Sequence, residues 1–138
     1  MNQDIFNLTK IPERSQKPRK SGATMVMDKG LSLAAARDLA ESFDPLIDYI
    51  KLGFGTSYVT PNLQEKINIY KAAGIDVYYG GTLFEAYIAR NQFQDYQRLL
   101  DKTGITMAEV SDGSLEMPHD KKCEYITELA KSVTVLSE

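Results

Sequence analysis

The sequence predicts an α/β protein built on a parallel sheet, and three observations carry that prediction. Five short apolar runs of strand type recur at intervals of about 25 to 30 residues. Helical periodicities of three and four fill the gaps between them. The two patterns alternate strictly, which implies parallel strands joined by right-handed crossovers. Two architectures satisfy this: about the first half of a (β/α)8 barrel, with four βα units and a fifth strand, or a five-stranded doubly wound domain.

Taken in order, residues 1–22 read as an irregular polar arm, broken by Pro12 and Pro18 and carrying the basic segment KPRK. Residues 23–138 read as the βα-repeat domain. Its first run is ATMVMD (23–28), followed by a helix face of Leu33, Ala36, Ala40 and Phe43. The second run is DYIKLGFG (48–55), followed by Leu63, Ile67 and Tyr70, with Thr60 ahead of Pro61 at a first helical position and Gly74 at the close. The third, IDVYYG (75–80), leads into one longer helix through Phe84, Ile88 and Leu99 that Gly104 ends. There Thr82 and Glu85 have capping-box spacing, with threonine as N-cap and glutamate at the third helical position. The fourth run is ITMAEVS (105–111), followed by Cys123, Ile126 and Ala130, and the fifth is VTVLSE (133–138). Cys123 reads as a core residue and His119, beside Pro118 at a helix start, as a surface one.

Composition narrows the function. With 138 residues, 43% of them hydrophobic, and a mean hydropathy of -0.32, the chain has the balance of one soluble domain. No run approaches the roughly 20 apolar residues of a membrane span, and MNQDIFNLTK lacks the regions of a signal peptide, so a cytoplasmic protein is expected. A lone Cys123 and a lone His119 provide neither an internal disulfide nor a Cys/His zinc site, which leaves oxygen ligands and a hard cation for any metal. A net charge of -3 argues against a nucleic-acid surface. Within the basic arm, Arg19 is the candidate anion ligand, because guanidinium grips phosphate or carboxylate in a bidentate way.

Strand alternation locates the chemistry. If Ile50, Leu52 and Phe54 pack on helices, Lys51, Gly53 and Gly55 face the other way. Met25 and Met27 are expected to pack, leaving Asp28 opposite; Ala108 and Val110 leave Glu109 and Ser111 opposite; Val133 and Val135 leave Glu138 opposite. Asp28, Lys51, Glu109 and Glu138 then gather near the C-terminal ends of the strands on the face away from the helices. Both faces of a doubly wound sheet are covered, so such charges would be costly there, whereas a barrel mouth accommodates them. One lysine among three carboxylates has the make-up of a site for a divalent cation and a proton donor. A buried ion-pair network that only fixes the fold is the competing reading.

In the segments KPRKSGATMVMDKG (17–30), DYIKLGFGTS (48–57), VYYGGTLFE (77–85), AEVSDG (108–113) and the terminal LSE, the sequence resembles the phosphosulfolactate synthase family. The resemblance runs in order over nearly the whole chain and implies a (β/α)8 barrel. It implies a lyase that adds sulfite to phosphoenolpyruvate with Mg2+, giving 2-phospho-3-sulfolactate, in coenzyme M biosynthesis in archaea. On that reading Glu109, Glu138 and then Asp28 are the metal-ligand candidates, and Lys51, with Asp28, the catalytic one. Arg19, Lys29, Gly55, Thr56, Gly80, Gly81 and Ser111 are candidates to hold the anionic substrate groups, the glycine turns through backbone amides at helix N-termini. Asp112 is divided evenly between turn chemistry and a site role. Family members are near twice this length, and the match stops at what would be their fifth strand. Association with like copies, or with a complementary C-terminal half, is therefore expected. Family relatives in plants are associated with heat stress, so a non-catalytic binding protein, or an inactive fragment, is the alternative. A nucleotide binder lacks its GxGxxG or P-loop.

Overall fold

A computed structural model describes residues 3–138. Its five strands are β1 (Met25–Asp28), β2 (Tyr49–Leu52), β3 (Asp76–Tyr79), β4 (Met107–Val110) and β5 (Thr134–Ser137). They form one sheet in the order of the chain, each parallel to the next. A doubly wound sheet reverses its strand order at a switch point. No reversal occurs here, which overturns that alternative and leaves a barrel-type sheet, five strands wide and not closed.

The helices are α1 (Gln3–Phe6), α2 (Leu33–Phe43), α3 (Leu63–Ala72), α4 (Gly81–Ile88), α5 (Phe93–Thr103) and α6 (His119–Leu129). Crossovers of one hand between neighbouring strands lay the helices from α2 onward on the same side of the sheet. Val26, Ile50, Leu52, Val77, Tyr79, Ala108, Val110 and Val135 point to that side. They share a core with Ala36 and Ala40 of α2, Ile67 of α3, Phe84 of α4, Leu100 of α5 and Leu129 of α6. Each large aliphatic side chain so buried stabilises the fold by about 1.5–3 kcal/mol. Among the described residues no helix is long and apolar enough to cross a membrane.

Several local expectations are corrected. The long third helix is two, α4 and α5, separated by a turn in which Asn91 takes a left-handed φ of 57°. The turn folds Tyr87 and Phe84 back onto Tyr96, with ring centroids 5.6 and 5.5 Å apart. α3 starts at Leu63 after Asn62, not at Pro61, because the Thr60 hydroxyl is spent closing the preceding turn on the Thr56 carbonyl at 2.8 Å. Phe54 does not pack on helices. The chain leaves β2 after Leu52, turns left-handed at Phe54 (φ 54°) and Gly55 (φ 68°), and leaves Phe54 61% exposed. Cys123 is exposed rather than core, with Sγ 3.5 Å from His119 Nε2.

β1 is turned over relative to expectation. Parallel register sets Met27 beside Lys51 and Tyr78, and Asp28 beside Leu52. Met25 and Met27 therefore lie on the open face and Val26 and Asp28 on the helix side. The reason is that Asp28 finds full compensation there. Its Oδ2 accepts from Tyr70 OH at 2.9 Å and pairs with Lys66 Nζ at 3.1 Å, both on α3, and its Oδ1 accepts the amides of Gly30 and Leu31, each at 2.7 Å. Burial opposes the charge of Asp28, but these amides, Lys66 and Tyr70 outweigh it and hold the carboxyl below its ordinary range.

Candidate active site

The open face of the sheet is where β2, β4 and β5 present ionisable groups near their C-terminal ends. Alternation along each strand is fixed by the apolar partners Ile50 and Leu52, Ala108 and Val110, and Val133 and Val135, all in or against the core. Lys51 and Glu109 are thereby turned outward from the core, and Glu138 follows the end of β5 on the same side. Lys51 Nζ lies 2.8 Å from Glu109 Oε1 and 3.0 Å from Glu138 Oε2, so three of the four expected groups come together. The fourth, Asp28, is held on the opposite side of the sheet by α3.

Electrostatics gives the three groups different protonation behaviour. Burial works against the Lys51 charge, but its hydrogen bonds to Glu109 and Glu138 and their negative charges prevail and hold the ammonium above its usual range. Glu109 is pushed up, first by burial and then by its hydrogen bond with Glu138, against the pull of Lys51 and the Gly81 amide. Glu138 is pulled down by its bonds to Glu109 and Lys51. Of this coupled pair, Glu109 is the one that takes a proton first.

The VYYGGT turn delivers a further donor. Gly80 is the N-cap of α4, and its own amide donates to the Leu52 carbonyl at 2.9 Å. The Gly81 amide donates to Glu109 Oε1 at 3.0 Å. The expectation that both glycine amides face a substrate anion is thus corrected, because both are already engaged by protein oxygens. The anion at this helix N-terminus is Glu109 itself, where the helix dipole favours it. A Cβ on Gly81 would stand 2.3 Å from Ser111 Cβ and 2.9 Å from Glu109 Oε1, so only glycine fits.

Glu85 is not a helix cap. With Gly80 as N-cap, Thr82 is the second helical residue and Glu85 lies a turn further on, 4% exposed. Its Oε1 accepts from the Ser111 hydroxyl, and its Oε2 accepts the Ser114 amide at 2.7 Å. It therefore pins the loop after β4 against α4. Ser111 is buried at the edge of the cluster but committed to Glu85. Asp112 is drawn aside by Lys122 Nζ at 2.8 Å.

Arg19 lies at the other end of the strands. Its guanidinium is buried, donating to Asp48 Oδ1 at 2.8 Å, to Pro45 O at 2.6 Å and to Ser15 O at 2.7 Å. Asp48 precedes β2, so Arg19 anchors the arm to the N-terminal edge of the sheet, away from Lys51. Lys29, just past β1, sits over the Phe54 ring at 5.4 Å to the centroid. Gly55 and Thr56 lie in the loop after β2, where the Thr56 hydroxyl donates to the Gly53 carbonyl at 2.7 Å.

Tyr78 escaped the sequence reading. It pairs in register with Lys51 on the open face and is 2% exposed. Burial and the Glu109 charge push its phenol up to about 12, so it stands beside Lys51 as a neutral donor. Alternation along DVYY, with Val77 and Tyr79 in the core, carried that signal.

Metal fit follows from the same geometry. Among the described residues no group of three or more Asp, Glu, His or Cys side chains gathers to cage a metal ion. Glu109 and Glu138 offer two carboxylates at an open strand end, which suits Mg2+, a cation that takes one or two carboxylates and completes its shell with water and substrate oxygens.

The model of the (2R)-phospho-3-sulfolactate synthase (ComA) family matches residues 12–138. The phosphosulfolactate synthase of Bacillus subtilis (strain 168) is 35% identical over 128 residues, covering 93% of this chain and 51% of the relative. That of Methanothermobacter thermautotrophicus is 39% identical over 131 residues, covering 92% and 50%. The chain spans about half the length of these curated relatives. A parallel barrel-type sheet, charges gathered at its C-terminal edge and a family match over nearly every residue agree on one conclusion: this chain belongs to the phosphosulfolactate synthase family.

Proposed function

We propose that this chain supplies the first five strands and the acid–base cluster of a carbon–sulfur lyase that adds sulfite to phosphoenolpyruvate, giving 2-phospho-3-sulfolactate. In that reaction the sulfite sulfur bonds to the methylene carbon, negative charge develops toward the substrate carboxylate, and a proton is delivered to the neighbouring carbon. Lys51 is suited to the delivery: it is a cation among anions at an open strand end, 2.8 Å from Glu109. Tyr78 offers a neutral hydroxyl to an anionic oxygen, and Lys29 an exposed charge just past β1. Glu109 and Glu138 would hold Mg2+, which when bound supplies Lewis acidity toward the developing carboxylate charge.

The observation that carries the reading is the Lys51 ammonium held between Glu109 and Glu138 at the C-terminal edge of the sheet. Active sites of barrel enzymes are built at that edge. The open sheet makes the cluster one wall of a site, and the proposal includes a second wall from a like copy or a complementary half-barrel. The test is sulfite consumption with phosphoenolpyruvate and Mg2+, first with the chain alone and then with it joined to the second half of the Bacillus subtilis relative. Activity in the joined form is expected; sulfite untouched by both forms would reject the proposal.

A further inference from the structure

Ser111 joins the Lys51 cluster to a buried acid that the reaction leaves unused, Glu85. It follows Glu109 by two residues and so leaves the end of β4 on the same side. Both side chains flank Gly81: a Cβ built there would stand 2.7 Å from Ser111 Oγ and 2.9 Å from Glu109 Oε1. The two oxygens are therefore close enough for one water to touch both. On its other side the Ser111 hydroxyl donates its only proton to Glu85 Oε1. Glu85 enforces that direction, because its Oε2 takes the Ser114 amide at 2.7 Å and a carboxylate offers acceptors alone.

We propose that Glu85 is a positioning residue that sets the hydrogen-bond polarity of Ser111, so that Ser111 Oγ meets the cluster as an acceptor and holds a water on the cation bound by Glu109 and Glu138. This rests on the Mg2+ role proposed for that pair. With its proton spent on Glu85, Ser111 has only lone pairs to present. Lone pairs repel the carboxylate, phosphate and sulfite oxygens of the substrates, which takes Ser111 out of the set of anion ligands. They attract a donor instead. The donors that Mg2+ brings are its own waters, since the ion dehydrates reluctantly and keeps several of them. Partners of this kind orient a metal's ligands and tune its affinity. Glu85 acts from α4 and Ser111 from the end of β4, so a helix that carries none of the ligands decides which atoms the site accepts.

Glu85→Gln isolates the effect. The Ser114 amide can only donate, so the introduced side-chain amide must turn its oxygen to Ser114 and its NH2 group to Ser111 Oγ. Both bonds survive, and the Ser111 proton is turned toward the cluster. Mg2+ is titrated calorimetrically into the full chain and into the form joined to the second half of the Bacillus subtilis relative. Binding should be about 10- to 100-fold weaker for E85Q and for S111A, the usual loss when a partner of a metal ligand is removed. Amide exchange at Ser114 should stay unchanged in E85Q. Should E85Q loosen the loop, S111A, which leaves the Ser114 bond in place, decides by the same reading. A Glu85 that only braces the loop predicts unaltered Mg2+ affinity in E85Q, and that result overturns the proposal. So does an S111A variant that keeps its Mg2+ affinity but binds phosphoenolpyruvate more weakly, which makes Ser111 an anion ligand. If the unsubstituted chain binds no Mg2+ in either form, the cation role of Glu109 and Glu138 is rejected first and this inference falls with it.

Discussion

The Gly81 amide donates to Glu109 Oε1 across 3.0 Å, tying the first turn of α4 to the open face of β4. A methyl group at residue 81 has nowhere to go, since it would meet Ser111 Cβ at 2.3 Å. Gly81→Ala should therefore destabilise the fold by about 1–3 kcal/mol, the usual cost of overpacking, and shift the urea midpoint without altering the slope. An unchanged midpoint would mean that the turn is looser than the packing shows.

Lys51→Met removes the cation that serves both Glu109 and Glu138. The expected loss is about 10²–10⁴-fold in sulfite consumption by the active form, the range for a general acid. In a pH titration of Glu109 by NMR, its carboxyl should rise further, because burial and Glu138 then act unopposed by Lys51. The Lys51 ammonium lies above its ordinary 10.5, so the stability it contributes is full below that value and is lost as pH rises through the folded-state value.

Acid stability should depend on Asp28. Its folded-state value lies below 3.8, so its contribution is present above pH 3.8 and disappears as pH falls through the lower value. Urea unfolding below pH 4 should show that decline. Asp28→Asn should flatten it and cost about 3 kcal/mol at neutral pH, because Lys66 is left buried and uncompensated.

Glu85→Ala frees the Ser111 hydroxyl and the Ser114 amide together. Amide exchange over residues 111–114 should speed at least tenfold, with a loss of about 1–3 kcal/mol for the buried Ser111 hydroxyl left unsatisfied. If exchange there is unaffected, Glu85 does not anchor the loop.

Arg19→Ala separates anchoring from chemistry. It leaves Asp48 with the Thr24 amide at 2.7 Å and Arg14 at 3.8 Å, and should lower stability by about 2–3 kcal/mol. Phosphoenolpyruvate binding, followed by calorimetry in the active form, should not change. A loss of binding in a folded variant would restore Arg19 to the site.

How much of this was legible depended on whether each strand had an unambiguous core face. In β2, β4 and β5 a polar or charged residue sits between two aliphatic ones, so alternation placed Lys51, Glu109 and Glu138 correctly. In MVMD three apolar residues precede one acid, and the period of two has no preferred phase. What decided it was Tyr70, 42 residues along the chain, and its neighbour Lys66 on α3. Thr82 and Glu85 satisfied a local spacing rule, but the helix began at Gly81 because the Gly80 amide is bound to Leu52 on the adjacent strand. These two misreadings, of β1 and of the α4 start, have the same cause: a partner distant in sequence outweighed a local pattern.

Every strand pairs with the strand next to it in the chain, so the βα units can be added one after another during folding, with short loops to close at each step. The Lys51–Glu138 contact is different, spanning 87 residues and passing over β3 and β4. It forms only once the fifth strand has docked. The charge constellation is thus a checkpoint on assembly: a chain halted at four strands can be folded over most of its core and still lack the anion that completes the cradle around its lysine.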